Sequence, residues 1–83
     1  MDMHTMDFKE ATDVLFDQVD HADLAEALGV SVATIRQARL NPGAKARRAP
    51  PKNWMFAVIR LAEQQIMRNR ELIELVRKDA SRS

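Results

Sequence analysis

The stretch HADLAEALGVSVATIRQARL, residues 21–40, has a single glycine among regularly spaced aliphatic residues. Gly29 is expected to end a helix in a left-handed conformation, which glycine adopts without steric cost. A small residue, Ala25, lies four positions before it, and Val30 follows it directly. The other inward positions are filled by aliphatic or small side chains, namely Leu24, Leu28, Ile35 and Ala38. This spacing predicts two short helices that cross closely at a tight turn.

Polar residues mark the ends of these two helices. Asp20 is expected to cap the first helix, and Asp23 lies near the positive end of its dipole. Ser31 is expected to cap the second helix, which runs from residue 32 to residue 40. The sequence Asn41-Pro42-Gly43 stops it, because proline and glycine interrupt helices.

Two further helical patterns flank this pair. An apolar stripe at three- and four-residue steps predicts a helix over residues 6–19, with Phe8, Ala11, Leu15 and Val19 on its inner side. After a loop at 41–52, which contains all three prolines, a long helix is predicted over residues 53–79. Trp54 is expected to anchor its start in the core. These patterns predict an all-α fold of four to five helices in one domain, residues 1–83.

The long helix carries a second apolar seam, with intervals of three and four residues in alternation. Its members are Ile59, Ala62, Ile66, Asn69, Ile73 and Val76. That pattern is a heptad core with one polar position, and Leu72 and Leu75 widen it. The other predicted helices are too short to cover its far half. We therefore expect a homodimer contact there, although an amphipathic helix folded onto its own domain would show a similar pattern.

Charge is distributed unevenly along the chain. Residues 1–30 have eight acids and one base, whereas residues 31–60 have seven bases and no acid. The two segments therefore carry −7 and +7, although the whole chain carries only +1. A long acid-free segment in a chain that is acidic elsewhere indicates a positive face suited to a polyanion.

On the residues of 21–40, the chain resembles the helix-turn-helix of the Cro and phage-repressor type, often called Xre-like. More loosely, it resembles small phage-associated autorepressors, including anti-CRISPR-associated regulators. The resemblance implies that residues 31–40 form a recognition helix in the major groove of double-stranded DNA. The base-contacting residues it implies are Ser31, Val32, Ala33, Arg36 and Gln37. It also implies that Thr34 and Arg39 contact the DNA backbone.

The chemistry of these side chains agrees with DNA reading. Arg36 can donate two hydrogen bonds to guanine O6 and N7, and Gln37 can pair with adenine N6 and N7. Val32 and Ala33 are short and apolar, which suits a thymine methyl group. Many relatives have a polar base-reading residue where Val32 stands here. The loop residues Lys45, Arg47, Arg48 and Lys52 are expected to contact phosphates or enter an adjacent minor groove, although an ordinary solvated loop would also carry such charges.

The amino-acid composition argues against several other classes of protein. Cysteine is absent, which excludes disulfides and thiolate metal sites. The histidines, His4 and His21, match no metal-ligand spacing, and no catalytic constellation or phosphate-binding glycine loop is present. We therefore expect neither an enzyme nor a metal, cofactor or small-molecule ligand. No apolar run approaches the ~18 residues of a membrane span, so we expect a cytoplasmic protein. The resemblance implies that it is encoded by a bacterium or a phage and is associated with the nucleoid when bound to DNA.

Taken together, the sequence predicts a homodimeric transcriptional regulator, most simply an autorepressor, that binds a pseudo-palindromic operator. Two alternatives stay open. One is a DNA-binding accessory protein, such as an antitoxin or a phage packaging subunit. The other is a helical protein–protein adaptor that uses the long C-terminal helix, for which Arg36, Gln37 and the acid-free loop would have no purpose.

Overall fold

The computed structural model describes residues 6–82 and contains four helices, with no strand in that range. They are α1 (Phe8–Leu15), α2 (His21–Leu28), α3 (Val32–Ala38) and α4 (Trp54–Arg82). The predicted all-α fold is therefore confirmed. Asp2 and His4 lie outside the described residues.

Helix α1 is shorter than the predicted span of residues 6–19 at both ends. Asp7 caps it, since its carboxylate accepts a hydrogen bond of 2.8 Å from the backbone N–H of Glu10. At the other end the N–H groups of Asp17 and Gln18 bond to carbonyls only three residues back, at 3.2 and 3.0 Å. This tighter turn redirects the chain so that Val19, which is 7% exposed, reaches the core before α2 begins.

Helix α2 begins and ends where the sequence predicts. The backbone of Asp20 is extended at the start, and its N–H donates a 3.0 Å hydrogen bond to the carboxylate of Asp23. Gly29 ends the helix in the left-handed conformation, at φ 69° and ψ 31°. The N–H of Val30 then bonds to the carbonyl of Ala25 at 3.0 Å, which closes the turn.

Helix α3 has the predicted cap and an earlier end. Ser31 Oγ accepts a 3.1 Å hydrogen bond from the backbone N–H of Thr34. The helix ends at Ala38, and the predicted end at Leu40 is wrong. The N–H of Leu40 bonds to the carbonyl of Gln37, three residues back, because the chain must leave the helix before Asn41 and Pro42.

Helix α4 has 29 residues, at Trp54–Arg82, and thus spans about 44 Å at ~1.5 Å per residue. It begins one residue later than predicted, where Trp54 N–H bonds to the carbonyl of Pro51 at 3.2 Å. It also extends beyond the predicted end at Asp79.

The core lies where α2 contacts both α3 and α4, and where α1 contacts α4. Leu24 of α2 and Ile35 of α3 are completely buried at its centre. Trp54 is partly buried and meets the ring of Phe8 edge to face, with centroids 5.4 Å apart. The buried hydrophobic residues are Phe8, Leu15, Val19, Leu24, Ala25, Ile35, Ala38, Ala57 and Leu61.

Only the first part of α4 contributes to this core. Leu61 is its last buried residue, and every described residue from Ile66 onward is exposed. The radius of gyration is 16.6 Å, against about 12 Å for a compact chain of this length, because the far half of α4 extends beyond the other helices. No helix among the described residues combines the length and apolarity that crossing a membrane requires.

Candidate nucleic-acid interface

The outer face of α3 is formed by Ala33, Arg36 and Gln37. Ala33 and Arg36 are exposed and Gln37 is half-buried, whereas Ile35 and Ala38 on the opposite face are buried. The spacing of three and four residues places the outer three side chains together. Three of the five predicted base-contacting residues therefore share one accessible face of a short helix.

The other two predicted base-contacting residues have additional roles. Ser31 is exposed, but its hydroxyl caps α3 and lies 3.0 Å from the Thr34 hydroxyl. Val32 is half-buried and packs against the core, which gives a structural reason for an apolar residue at this position. Ser31 retains hydrogen-bonding capacity, since a hydroxyl has two acceptor lone pairs and one donor.

Arg39 has intramolecular partners that the sequence did not reveal. Its guanidinium forms an ion pair with the carboxylate of Asp13 and lies over the ring of Phe16, 4.9 Å from the centroid. The side chain of Arg39 is only 19% exposed. These contacts tie the end of α3 to α1. No local signal points to them, because Asp13 is one of two acids in α1 and lies 26 positions from Arg39 in the sequence.

His21 belongs to the same junction. Its ring stacks on Phe16, with centroids 3.9 Å apart and an interplanar angle of 22°. Burial lowers the pKa of His21, and the positive charges of Arg39 and Arg36 lower it further. The lowered pKa favours the neutral imidazole, and the contacts of Phe16 with Arg39 and His21 connect all three short helices.

Asp13 is the acidic member of this junction. The hydrogen bond from Lys9, 3.0 Å long, holds the pKa of Asp13 below its ordinary value, and the charge of Arg39 adds to this effect. Partial desolvation of the carboxyl opposes the shift. Asp13 therefore remains a carboxylate, which is the form that binds Arg39.

The basic loop, residues 41–52, is attached to α3 by its backbone. The N–H of Arg48 donates a 3.2 Å hydrogen bond to the carbonyl of Gln37. Two turns precede this bond, closed by N–H groups of Ala44 and Arg47 at 2.9 and 3.1 Å. The loop is thus held beside the end of the predicted recognition helix.

The cations of this loop are accessible. All four are exposed, and within residues 6–82 none of them forms an ion pair. They are Lys45, Arg47, Arg48 and Lys52. Arg47 lines a surface hollow of about 280 Å³ together with Pro50 and Trp54, so the end of the loop lies against the start of α4.

Two acidic residues of α2 lie near basic residues of α4. Asp23 and Glu26 line a hollow of about 420 Å³ with Arg60 and Arg68 of α4. Their charges face basic residues of α4 there. The outer face of α3 and the basic loop therefore present positive charge from a segment that contains no acid.

Comparison with known proteins found no matching family model, no matching curated protein and no matching solved structure.

Proposed function

We propose that the chain is a sequence-specific regulator of transcription that binds double-stranded DNA as a homodimer, most simply as a repressor of its own promoter. One observation carries the proposal. The accessible face of α3, with Arg36 and Gln37, is joined through the Gln37–Arg48 bond to an exposed loop whose cations form no ion pair within residues 6–82. Base-reading and phosphate-binding side chains thus lie side by side.

The face of α3 suits the edges of base pairs. The Arg36 guanidinium carries paired donors for guanine O6 and N7, and the Gln37 amide matches adenine N6 and N7. Ala33 is small enough for close approach and can contact a thymine methyl group. Ser31 and Val32 flank this face at the start of the helix and add a hydroxyl and a methyl contact.

The loop supplies contacts that are independent of sequence. Lys45, Arg47, Arg48 and Lys52 neutralise phosphates or reach the neighbouring minor groove. Thr34 contacts the backbone next to α3. Arg39 acts mainly as a positioning residue, because Asp13 and Phe16 already hold it.

Dimerisation would use the exposed seam of α4. Ile66 and Ile73 are about half exposed in the single chain, and apolar residues continue beside them. A twofold dimer presents two α3 helices, and these would read half-sites one turn of DNA apart, ~34 Å. This geometry requires a pseudo-palindromic operator.

A gel shift with DNA from upstream of the chain's own coding sequence tests the proposal. We expect a selective shift at ~100 mM salt, compared with a shuffled DNA of the same length and composition. Equal retardation of both DNAs would reduce the function to non-specific binding. A complete absence of retardation would contradict the proposal.

The long exposed half of α4 also favours a second candidate, a helical protein–protein adaptor. In that case the apolar seam would associate normally while DNA binding would be absent at every salt concentration. A DNA-binding accessory protein would instead bind DNA without changing transcription from the bound promoter. A reporter assay run beside the gel shift separates these outcomes.

A further inference from the structure

The apolar seam of α4 has different surroundings in its two halves. In the half nearer the core, from Ile59 to Ile66, helix α1 lies along one side of the seam. One hollow of about 290 Å³ is lined by Ala11 and Ile59, and a second of about 190 Å³ is lined by Val14, Ala62 and Ile66. These five residues define the α1–α4 groove. Val14 is 62% exposed although it is apolar, so the groove is open in the single chain.

The far half of the seam has no such wall. Ile73 and Val76 are exposed, and no described residue from another helix covers them. Leu72 and Leu75 extend the apolar surface around the helix, and they are also more than half exposed. This surface is wider than the a and d positions that two paired helices bury. Covering it requires a surface of more than one helix.

We infer that the far half of α4 docks in the α1–α4 groove of a second copy, so that the two α4 helices run antiparallel. The inference rests on the proposed dimer and specifies its arrangement. The second copy contributes both its α4 and its α1, which together match the width of the far half. Each chain then fills the groove of the other.

The side-chain sizes along the seam fit this register. Placing Ile66 of one chain opposite Asn69 of the other sets Ala62 opposite Ile73 and Ile59 opposite Val76. The one small residue of the seam, Ala62, then faces the large Ile73, which fills the space beside it. A parallel pair in register would instead set Ala62 against Ala62, which leaves a gap in that layer.

Charges beside the seam favour the same orientation. Glu63 and Arg70 flank the seam, are exposed, and form no ion pair within residues 6–82. In the antiparallel register Glu63 lies beside Arg70 of the second copy, and symmetry repeats the pair. In a parallel pair Glu63 would flank Val58 and Arg70 would flank Gln65. Flanking charges set helix orientation in paired helices, and only the antiparallel arrangement gives them partners.

The antiparallel arrangement also suits two half-sites. In this register the two Ala57 positions, which lie in the two cores, are roughly 31 Å apart along the helix axis at ~1.5 Å per residue. One turn of DNA is ~34 Å. The long helix thus acts as a spacer between the two DNA-binding units.

Disulfide trapping tests the orientation, and the absence of native cysteine makes it unambiguous. Ile59→Cys and Val76→Cys are prepared separately and oxidised alone and as a mixture. We expect the mixture to give a cross-linked heterodimer and each variant alone to give little product. In the antiparallel register two Val76 positions are about 26 Å apart, whereas a disulfide needs Cα atoms within about 7 Å. Efficient self-cross-linking of Val76→Cys would overturn the inference.

Charge reversal supplies a second readout that does not depend on covalent trapping. Glu63→Arg and Arg70→Glu should each weaken the dimer about fivefold, and the double variant should restore it. The two residues are too far apart along one helix to pair within a chain, so recovery reports an intermolecular contact. Glu71→Arg, on the outer side of α4, is the matched control and should leave the dimer unchanged, because the side chains of adjacent helix residues do not face each other. A double variant as weak as the single ones would overturn the inference.

The result is separable from DNA binding. A trapped antiparallel dimer that binds no operator would contradict the proposed regulator and leave the arrangement of α4 established. A selective gel shift by a protein that is monomeric at tens of micromolar would contradict the arrangement of α4 and would establish sequence-selective DNA binding.

Discussion

Gly29 is the residue on which the turn between α2 and α3 depends. It is the one residue with positive φ within residues 6–82. A Cβ atom added there would meet no heavy atom within 4 Å, so the requirement is conformational and does not come from crowding. The glycine therefore sets the angle at which α3 leaves α2.

We expect Gly29→Ala to lower the free energy of unfolding by about 1 kcal/mol, because in the left-handed conformation the Cβ of alanine comes too close to the backbone carbonyl oxygen. Gly43→Ala is the matched control, since Gly43 has an ordinary φ and equally open surroundings. It should be neutral or slightly stabilising. Urea unfolding followed by circular dichroism measures both. An equal loss in the two variants would mean that the turn does not depend on the conformation of Gly29.

The stacked His21 makes stability depend on pH. Because the pKa of His21 is lowered in the folded chain, the unfolded chain binds a proton more readily as pH falls below ~6.5. The folded state therefore loses stability between that pH and the lower folded pKa. We expect the Tm of the wild type to fall between pH 7.5 and pH 5.5 by more than the Tm of His21→Gln. Identical pH profiles would show that the folded environment does not disfavour the charged imidazole.

Local sequence signals predict some of the helix ends correctly but not all of them. The caps Asp20 and Ser31 and the stop at Gly29 act within a few residues, so the sequence predicts them correctly. The end of α1 is set by the need to bring Val19 into the core, which is a tertiary constraint. The sequence therefore overextends that helix.

The candidate interface also combines features that local sequence predicts with features that depend on tertiary contacts. Arg36 and Gln37 share an accessible face because of helical periodicity. The sequence points to them as base-contacting residues only through its resemblance to a helix-turn-helix. The Arg39–Asp13 pair spans 26 positions, the Arg48–Gln37 bond joins the basic loop to α3, and the Phe16–His21 stack crosses the turn between α1 and α2. These contacts depend on the tertiary fold, and no periodicity signals them. They show that Arg39, for which a DNA-backbone contact is expected, also orients α3 against α1.

Helix α3 and the basic loop are expected to contribute different kinds of binding energy. Arg36→Ala should cost about 1–3 kcal/mol on the operator and relax the preference at one base pair in each half-site. Arg48→Ala keeps the backbone bond to Gln37, so it should weaken binding to all DNAs equally and reduce the salt dependence. Titrations on the operator and a shuffled DNA at several salt concentrations distinguish the two. An equal loss on both DNAs for Arg36→Ala would make Arg36 a phosphate contact.

The whole molecule consists of a small helical unit and a projecting helix whose apolar side is uncovered. The unit buries few residues for its length, and the far half of α4 buries none. Small domains gain stability from association, because a partner covers surface that the chain alone cannot bury. Dimerisation and folding stability should therefore be linked, and the Tm should rise with protein concentration.

Ile66→Asp and Met67→Asp form a matched pair that tests this linkage. Both side chains are exposed in the single chain, at 50% and 63%, so neither change damages its core. Ile66 lies on the seam, whereas Met67 lies about 100° further around α4 and off the seam. We expect light scattering to show a monomer for Ile66→Asp and a dimer for Met67→Asp. Operator affinity should fall by about 10²-fold or more only in Ile66→Asp, because linked half-sites bind cooperatively. If both variants remained dimeric and bound the operator normally, the chains would associate through a surface other than the seam.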